Sequence, residues 1–289
     1  MTDNRMLHSF RLWVLFLMLL GPFAQAASFE DILASHEARL GGRIGLAILD
    51  TGSGALQTVK GTQRFPMMST FKTLACATLL AEVDAGRLRL ETQVEIRREA
   101  LLSYSPVTGK FVGQSFSLQQ ACDATMHTSD NTAANLVLEA IGGPAAVTRF
   151  MRGLGDDVTR LDRIEPELNS ALADDPRDTS SPVAMVRSLQ ALFFGDVLRP
   201  ASRDRLLQWM RGNEVAGPLF RATLPPGWAI ADRSGAGDNG SRGITAILWP
   251  PQRAPLIVSL YLTGTRADMP ELNRSVAEIG REVFAAYRP

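Results

Sequence analysis

Strand-like patterning occurs near both ends of this chain, and a long helical stretch lies between. Arg43–Asp50 reads RIGLAILD and Ala55–Val59 is again β-like, with Thr51-Gly52-Ser53-Gly54 joining them. That is a hairpin signal, because glycine reaches the positive φ a tight turn needs. After Gly227 three more runs read as strands: Trp228–Asp232, Gly243–Trp249 and Leu256–Thr263. From Ser69 to about Leu198 apolar residues recur at helical spacing, as in Phe71-Leu74-Ala75-Thr78-Leu79, around Ala133–Ile141 and in Val183–Phe194. Gly142-Gly143-Pro144 and Gly153-Leu154-Gly155 punctuate these helices. Asp31–Leu40 and about Met269–Tyr287 read as helices before the first strand and after the last. The pattern predicts an α+β fold: one antiparallel sheet built from both ends of the chain, flanked by terminal helices, with an inserted all-helical lobe. The expected lobes are 27–60 with 213–289, and 61–212, and an active site belongs in the cleft between them.

The chain has 289 residues, enough for such a core, and its 45% hydrophobic and 21% charged content excludes a disordered chain. Thirty basic and thirty acidic residues balance, which argues against a nucleic-acid or anionic-membrane partner. Arginine carries the positive charge almost alone; Lys60, Lys72 and Lys110 are the only lysines. Residues 1–26 read as a signal peptide: Arg5 and Arg11, an apolar run Leu12–Phe23, then the small-residue site Ala24-Gln25-Ala26. The run is short for a membrane span. Cleavage after Ala26 leaves 28 basic and 29 acidic residues on a secreted chain. In an exported protein Cys76 and Cys122 are expected to form a disulfide, the alternative being two separate buried thiols. Two thiols without a histidine pattern make no metal site.

Four short elements carry chemistry. In Ser69-Thr70-Phe71-Lys72 a helix puts hydroxyl and amine on one face, and the serine sits where free N–H groups stabilise negative charge. Ser129-Asp130-Asn131 opens the helix that runs to Ile141. Glu165-Pro166-Glu167-Leu168-Asn169 lies in a polar loop, about 160–178. Arg233-Ser234-Gly235 ends the Trp228–Asp232 strand. Each alone reads equally as a helix cap, a turn or an acidic loop. His127, near the second element, reads as structural, and with His36 it leaves no histidine-based mechanism.

Together and in this order the four elements resemble class A serine β-lactamases and their penicillin-binding relatives. The likeness extends through Trp209-Met210, Val215-Ala216-Gly217-Pro218, Ala236-Gly237 and Gly240-Ser241-Arg242-Gly243 to essentially the whole chain after the leader. It implies the two-lobe β-lactamase/transpeptidase-like fold, a periplasmic enzyme of β-lactam resistance acting on small β-lactams, and no cofactor; a monomer is expected because the sequence carries no apolar repeat or coiled-coil heptad. By resemblance Ser69 is the nucleophile, and the backbone N–H groups of Ser69 and Ala236 form the oxyanion hole. Ser129 passes a proton to the ring nitrogen, and Lys72 or Glu165 takes the serine proton. Glu165, with Asn169, activates the deacylating water. Asn131 meets the substrate's side-chain amide; Ser234, Arg233 and Arg242 meet its carboxylate, and Tyr104, Gly235 and Ala236 also bind substrate. Arg163 and Asp178 are expected to pair across the neck of the Glu165 loop.

Most such enzymes carry lysine at Arg233; Arg-Ser-Gly resembles the carbenicillin-hydrolysing subgroup, and arginine's planar fork is no neutral swap. Penicillins including carboxypenicillins are therefore the expected substrates, with a narrow cephalosporin range. Met68 and Gly237 stand where carbapenem-hydrolysing relatives carry a disulfide, so carbapenems are not expected substrates. The competing readings are a DD-peptidase or penicillin-binding protein, and a penicillin-sensor domain that stays acylated. Glu165 with Asn169 and a cleaved leader argue against the first, and a sensor would need a membrane tether that the sequence does not display.

Overall fold

The computed structural model describes residues 27–288; the expected signal peptide lies outside them. In chain order the elements are α1 (Phe29–Leu40), β1 (Arg43–Asp50), β2 (Leu56–Val59), β3 (Phe65–Pro66), α2 (Phe71–Asp84), β4 (Gln93–Glu95), β5 (Ser115–Ser117), α3 (Leu118–Thr128) and α4 (Asn131–Ile141). There follow α5 (Pro144–Gly153), β6 (Thr179–Ser180), α6 (Pro182–Phe194), α7 (Pro200–Arg211), β7 (Ala229–Gly237), β8 (Ser241–Trp249), β9 (Leu256–Thr263) and α8 (Met269–Ala286).

Five strands form one antiparallel sheet in the order β2-β1-β9-β8-β7. Both ends of the chain contribute to it, as the pattern required. β1 is buried almost throughout because helices cover both faces of the sheet. The period-two alternation of a strand sorts its side chains. Ile44, Leu46 and Ile48 join a cluster with Val258, Leu260, Val276 and Phe284. Ala47 and Leu49 face the opposite way, into a cluster shared with the helical insertion. α1 and α8 lie on the first face and α6 on the second.

Two differences from the sequence reading concern the site. β7 does not stop at Asp232 but runs to Gly237, so Arg233-Ser234-Gly235 lies inside a strand. Ser-Gly-Ala-Gly has poor strand propensity; pairing of Arg233 with Thr245 and Gly235 with Gly243 on β8 overrides it. Ser129 does not begin a helix. It closes α3 in a left-handed conformation (φ 65°), and Asp130 caps α4. A disulfide joins Cys76 on α2 to Cys122 on α3, with Cα atoms 6.0 Å apart and a sequence separation of 46. Closing a loop of that size stabilises a fold by about 4 kcal/mol in the chain-entropy account.

Candidate active site

Ser69 lies in a single 3-10 turn, Met68–Thr70, that leads into α2. Met68 before it has φ 50°, a left-handed backbone that a side-chain-bearing residue rarely adopts. Edge strand β7 packs against this turn at very close range. A Cβ on Gly235 would lie 2.9 Å from Ser69 N, and one on Gly237 would lie 2.7 Å from the Asn169 carbonyl and 3.1 Å from Met68. Glycine at both positions is therefore a packing necessity. Ala236, between them, pairs with Arg242 on β8.

Lys72 is fully buried and makes four polar contacts. Its Nζ donates to the Ser129 carbonyl (2.9 Å), Ser129 Oγ (3.1 Å) and Asn131 Oδ1 (2.7 Å), and lies 3.0 Å from Glu165 Oε1. Burial lowers its pKa to about 8, against the opposing pull of Glu165. Asp130, the middle residue of its motif, accepts from the backbone N–H groups of Ala133, Val107 and Thr108 and from the Thr108 hydroxyl. It anchors the segment that carries Tyr104, whose carbonyl accepts from Asn131 N–H at 3.0 Å.

Glu165 is buried, and Asn169 Nδ2 donates to its Oε2. Glu165 Oε1 faces the Lys72 ammonium, while Asn169 Oδ1 and Ser170 Oγ are buried oxygens without a hydrogen-bond partner among the described residues. Burying such groups costs free energy unless something satisfies them. The loop's neck closes as expected. Arg163 Nε reaches Asp178 Oδ2 at 2.5 Å, while Asp178 Oδ1 accepts from the N–H groups of Asp162 (2.7 Å) and Arg163 (2.9 Å). The Asp178 carbonyl accepts from Met67 N–H at 2.9 Å, which ties the neck to the Ser69 turn.

A cavity of about 330 Å³ lies over Ser69. Ser129, Asn131, Asn169, Ser234, Gly235 and Ala236 line it, with Tyr104 and Met269 at its mouth and Val215 and Arg242 in its wall. Arg233 does not line it. It is fully buried, and its Nη2 donates to Ser129 Oγ from behind. Arg242 is the cation that faces the cavity, held by Asn273 Oδ1 (2.8 Å) and the Gly235 carbonyl (2.8 Å). Among the described residues it pairs with no carboxylate, and burial lowers its pKa to about 10. His127 packs against Gly212, away from the cavity.

The match of the beta-lactamase enzyme family model runs from residue 26 to residue 287, nearly the whole chain. The chain belongs to this family, in class A. The enzyme is 48% identical over 268 residues to β-lactamase CARB-3 of Pseudomonas aeruginosa, covering 92% of this chain and 93% of that protein. It is 46% identical over 247 residues to β-lactamase AER-1 of Aeromonas hydrophila, covering 85% and 81%. It superposes on the crystal structure of the chromosome-encoded β-lactamase of Vibrio parahaemolyticus with a TM-score of 0.89 at 45% identity, covering 90% of this chain and 99% of that one. An ancestral (GNCA) class A β-lactamase gives 0.88 at 47% identity, covering 90% and 100%. These relatives bear out the two-lobe class A fold and the likeness to the carbenicillin-hydrolysing subgroup. Among the described residues no helix of the enzyme is long and apolar enough to cross a membrane.

Sequence reasoning missed Asn135. Its Oδ1 accepts from Glu165 N–H and its Nδ2 donates to the Glu165 carbonyl, both at 2.9 Å. The available signal was spacing, since Asn135 lies four residues after Asn131 and shares its helix face. Asn273 and Met269 were missed too, because both lie on a final helix that reads as simple packing.

Proposed function

We propose that this β-lactamase hydrolyses penicillins, carboxypenicillins included, through an acyl-enzyme on Ser69. The Ser69 Oγ–C bond forms as its proton passes to the Lys72–Glu165 pair, a coupled acid–base unit 3.0 Å apart. The N–H groups of Ser69 and Ala236 receive the oxyanion, each such donor contributing about 3 kcal/mol to lowering the barrier. The close approach of β7 to Ser69 N supports that pairing. When the ring C–N bond breaks, the nitrogen takes the proton of Ser129, and Lys72, 3.1 Å from Ser129 Oγ, replaces it. Ser234 and Arg242 hold the substrate carboxylate, while Asn131 and Tyr104 meet the acyl side chain. Arg233 serves the carboxylate only indirectly; its contact is with Ser129.

Hydrolysis then needs a water activated by a base. The observation that carries the reading is the buried Glu165 carboxylate, 3.0 Å from Lys72 Nζ and held by Asn169 Nδ2, beside an Asn169 Oδ1 that has no hydrogen-bond partner among the described residues. They form a site for a water aimed at the ester, which an enzyme that only acylates does not require. We further propose a monomer, exported to the periplasm, built from the lobes 27–60 with 213–289 and 61–212. One buried cluster drawn wholly from the first of these supports the division.

The test is benzylpenicillin in excess over residues 27–289, with the protein's mass recorded alongside, followed by carbenicillin and ampicillin. Many turnovers without a lasting adduct are expected, with comparable rates on the last two substrates. One equivalent consumed and a stable adduct would make this a penicillin-binding or sensing protein. A carbenicillin rate far below that on ampicillin would remove the subgroup assignment.

A further inference from the structure

We propose that Asn213 and Asp232 are positioning residues for the proton transfer from Ser129, acting through Arg233. The inference rests on the reading above, in which Ser129 protonates the departing nitrogen. Arg233 belongs to the third motif, yet its guanidinium is shut away behind Ser129 instead of facing the cavity. One end, Nη2, donates to Ser129 Oγ. The other, Nη1, donates to Asn213 Oδ1 at 3.3 Å. Nε has no hydrogen-bond partner among the described residues. A planar fork on a long, flexible stem needs fixed acceptors to keep its direction. Asn213 is the second of the two side chains that fix it.

Asn213 presents Oδ1 to Arg233 only while its Nδ2 finds an acceptor on the other side, and Asp232 supplies that acceptor. Nδ2 donates to Asp232 Oδ1 at 3.0 Å and to the Asp232 carbonyl at 3.3 Å. Asp232 is fully buried and is held in turn by Arg221, whose Nη2 donates to its Oδ1 at 2.9 Å and whose Nε donates to its Oδ2 at 3.1 Å. Arg221 Nη2 also donates to the Arg211 carbonyl at the end of α7 at 3.1 Å. The charges alternate along this row: Arg221, Asp232, then Arg233, whose cation Asp232 supports against the burial that lowers its pKa to about 10. The row therefore does two things at Ser129. It aims a guanidinium N–H at Oγ and keeps that guanidinium charged, so the oxyanion left by the departing proton meets a fixed cation.

A purely structural role would slow every step together. A positioning role slows acylation, the step that uses the Ser129 proton, and spares deacylation. The experiment is stopped-flow measurement of both steps with benzylpenicillin in Asn213→Ala, in Arg233→Ala and in the double variant. Expected are acylation about tenfold slower in Asn213→Ala with deacylation within twofold of wild type, and little further loss when Arg233→Ala is already present. Asn213→Gln, which keeps both an acceptor for Arg233 and a donor for Asp232, recovers most of the acylation rate. Val215 N–H also donates to Asn213 Oδ1 at 3.2 Å, so Asn213→Ala could destabilise the fold. Should it not fold, Asp232→Asn carries the same test. Equal loss in both steps, additive effects with Arg233→Ala, or unchanged acylation would overturn the proposal. Wild-type acylation in Ser129→Ala would instead sink the mechanism on which it rests.

Discussion

Asn135 grips the peptide of Glu165 at both ends. Its amide oxygen accepts from the Glu165 N–H and its amide nitrogen donates to the Glu165 carbonyl, each at 2.9 Å. A side chain on a helix thus replaces the neighbouring strand that Glu165's loop lacks, and a reactive carboxylate on a loop gains the placement of one on a rigid element. α4 does this from one face, since Asn131 points its own amide at Lys72 one turn earlier.

Asn135→Ala removes both bonds and leaves the Glu165 peptide groups unpaired. Deacylation of benzylpenicilloyl-enzyme is expected to slow about tenfold or more, with acylation less affected. Stopped-flow separation of the two steps decides it, and an equal loss in both would mean that Asn135 holds the helical lobe and not the carboxylate.

Glu165→Gln removes the proposed base while preserving shape. The acyl-enzyme is expected to accumulate, with turnover down about a thousandfold, because positioned general bases contribute on the order of 10²–10⁴. Intact-protein mass spectrometry after mixing with benzylpenicillin reads the adduct directly, and an unmodified protein that still turns over at the wild-type rate would refute the role given to Glu165.

The same variant should move Lys72. The carboxylate 3.0 Å from its Nζ favours the ammonium form, so replacing it with a neutral amide lowers the Lys72 pKa further below about 8. Because the chain has only three lysines, a titration of 13C-lysine-labelled protein followed by NMR resolves this signal. An upward move would show that the amine and carboxylate are not coupled.

Asp178→Asn keeps the size of the side chain but cancels the pair with Arg163 and weakens its hold on two backbone N–H groups. Breaking a largely buried pair from one side costs about 3 kcal/mol. A lower Tm and slower deacylation, with acylation less affected, are expected; unchanged deacylation would show that the neck and Glu165 are uncoupled.

Gly235→Ala tests the close approach of β7 to the nucleophile. The added carbon falls 2.9 Å from Ser69 N and from Met68 Cβ and 3.0 Å from the Met67 carbonyl, mostly rigid backbone. Overpacking of this kind costs about 1–3 kcal/mol. Acylation should fall more steeply than Tm if the displaced Ser69 N–H is one of the two proposed oxyanion donors. Thermal unfolding beside single-turnover kinetics checks it.

The sheet was legible because strand-like runs at both ends of the chain flank a long helical stretch, which leaves one sheet built from both ends. Leu256–Thr263 matches its predicted bounds. The spacing of Ser69 and Lys72 told less than helical geometry suggests, because Ser69 lies in a 3-10 turn before α2 and Lys72 Nζ bonds Ser129 and Asn131. The extension of β7 was not, because Ser234 to Gly237 carry no strand propensity and take their conformation from β8. The direction of Arg233 was not legible either. Sequence cannot say whether a cation beside a serine faces ligand or protein, and here burial decides. Asn135 and Asn213 look like ordinary polar residues until the backbone and side-chain groups they pair with are in view.

β9 lies between β1 and β8, in the interior of the sheet. Thr51 bonds the Pro255 carbonyl from 204 residues away in sequence. A chain made from its N-terminus therefore finishes its first two strands long before their neighbour exists, and pairings this remote form late and slowly. The consequence concerns folding order: the sheet can close only after β9 is made, so the final shape forms when synthesis is almost over.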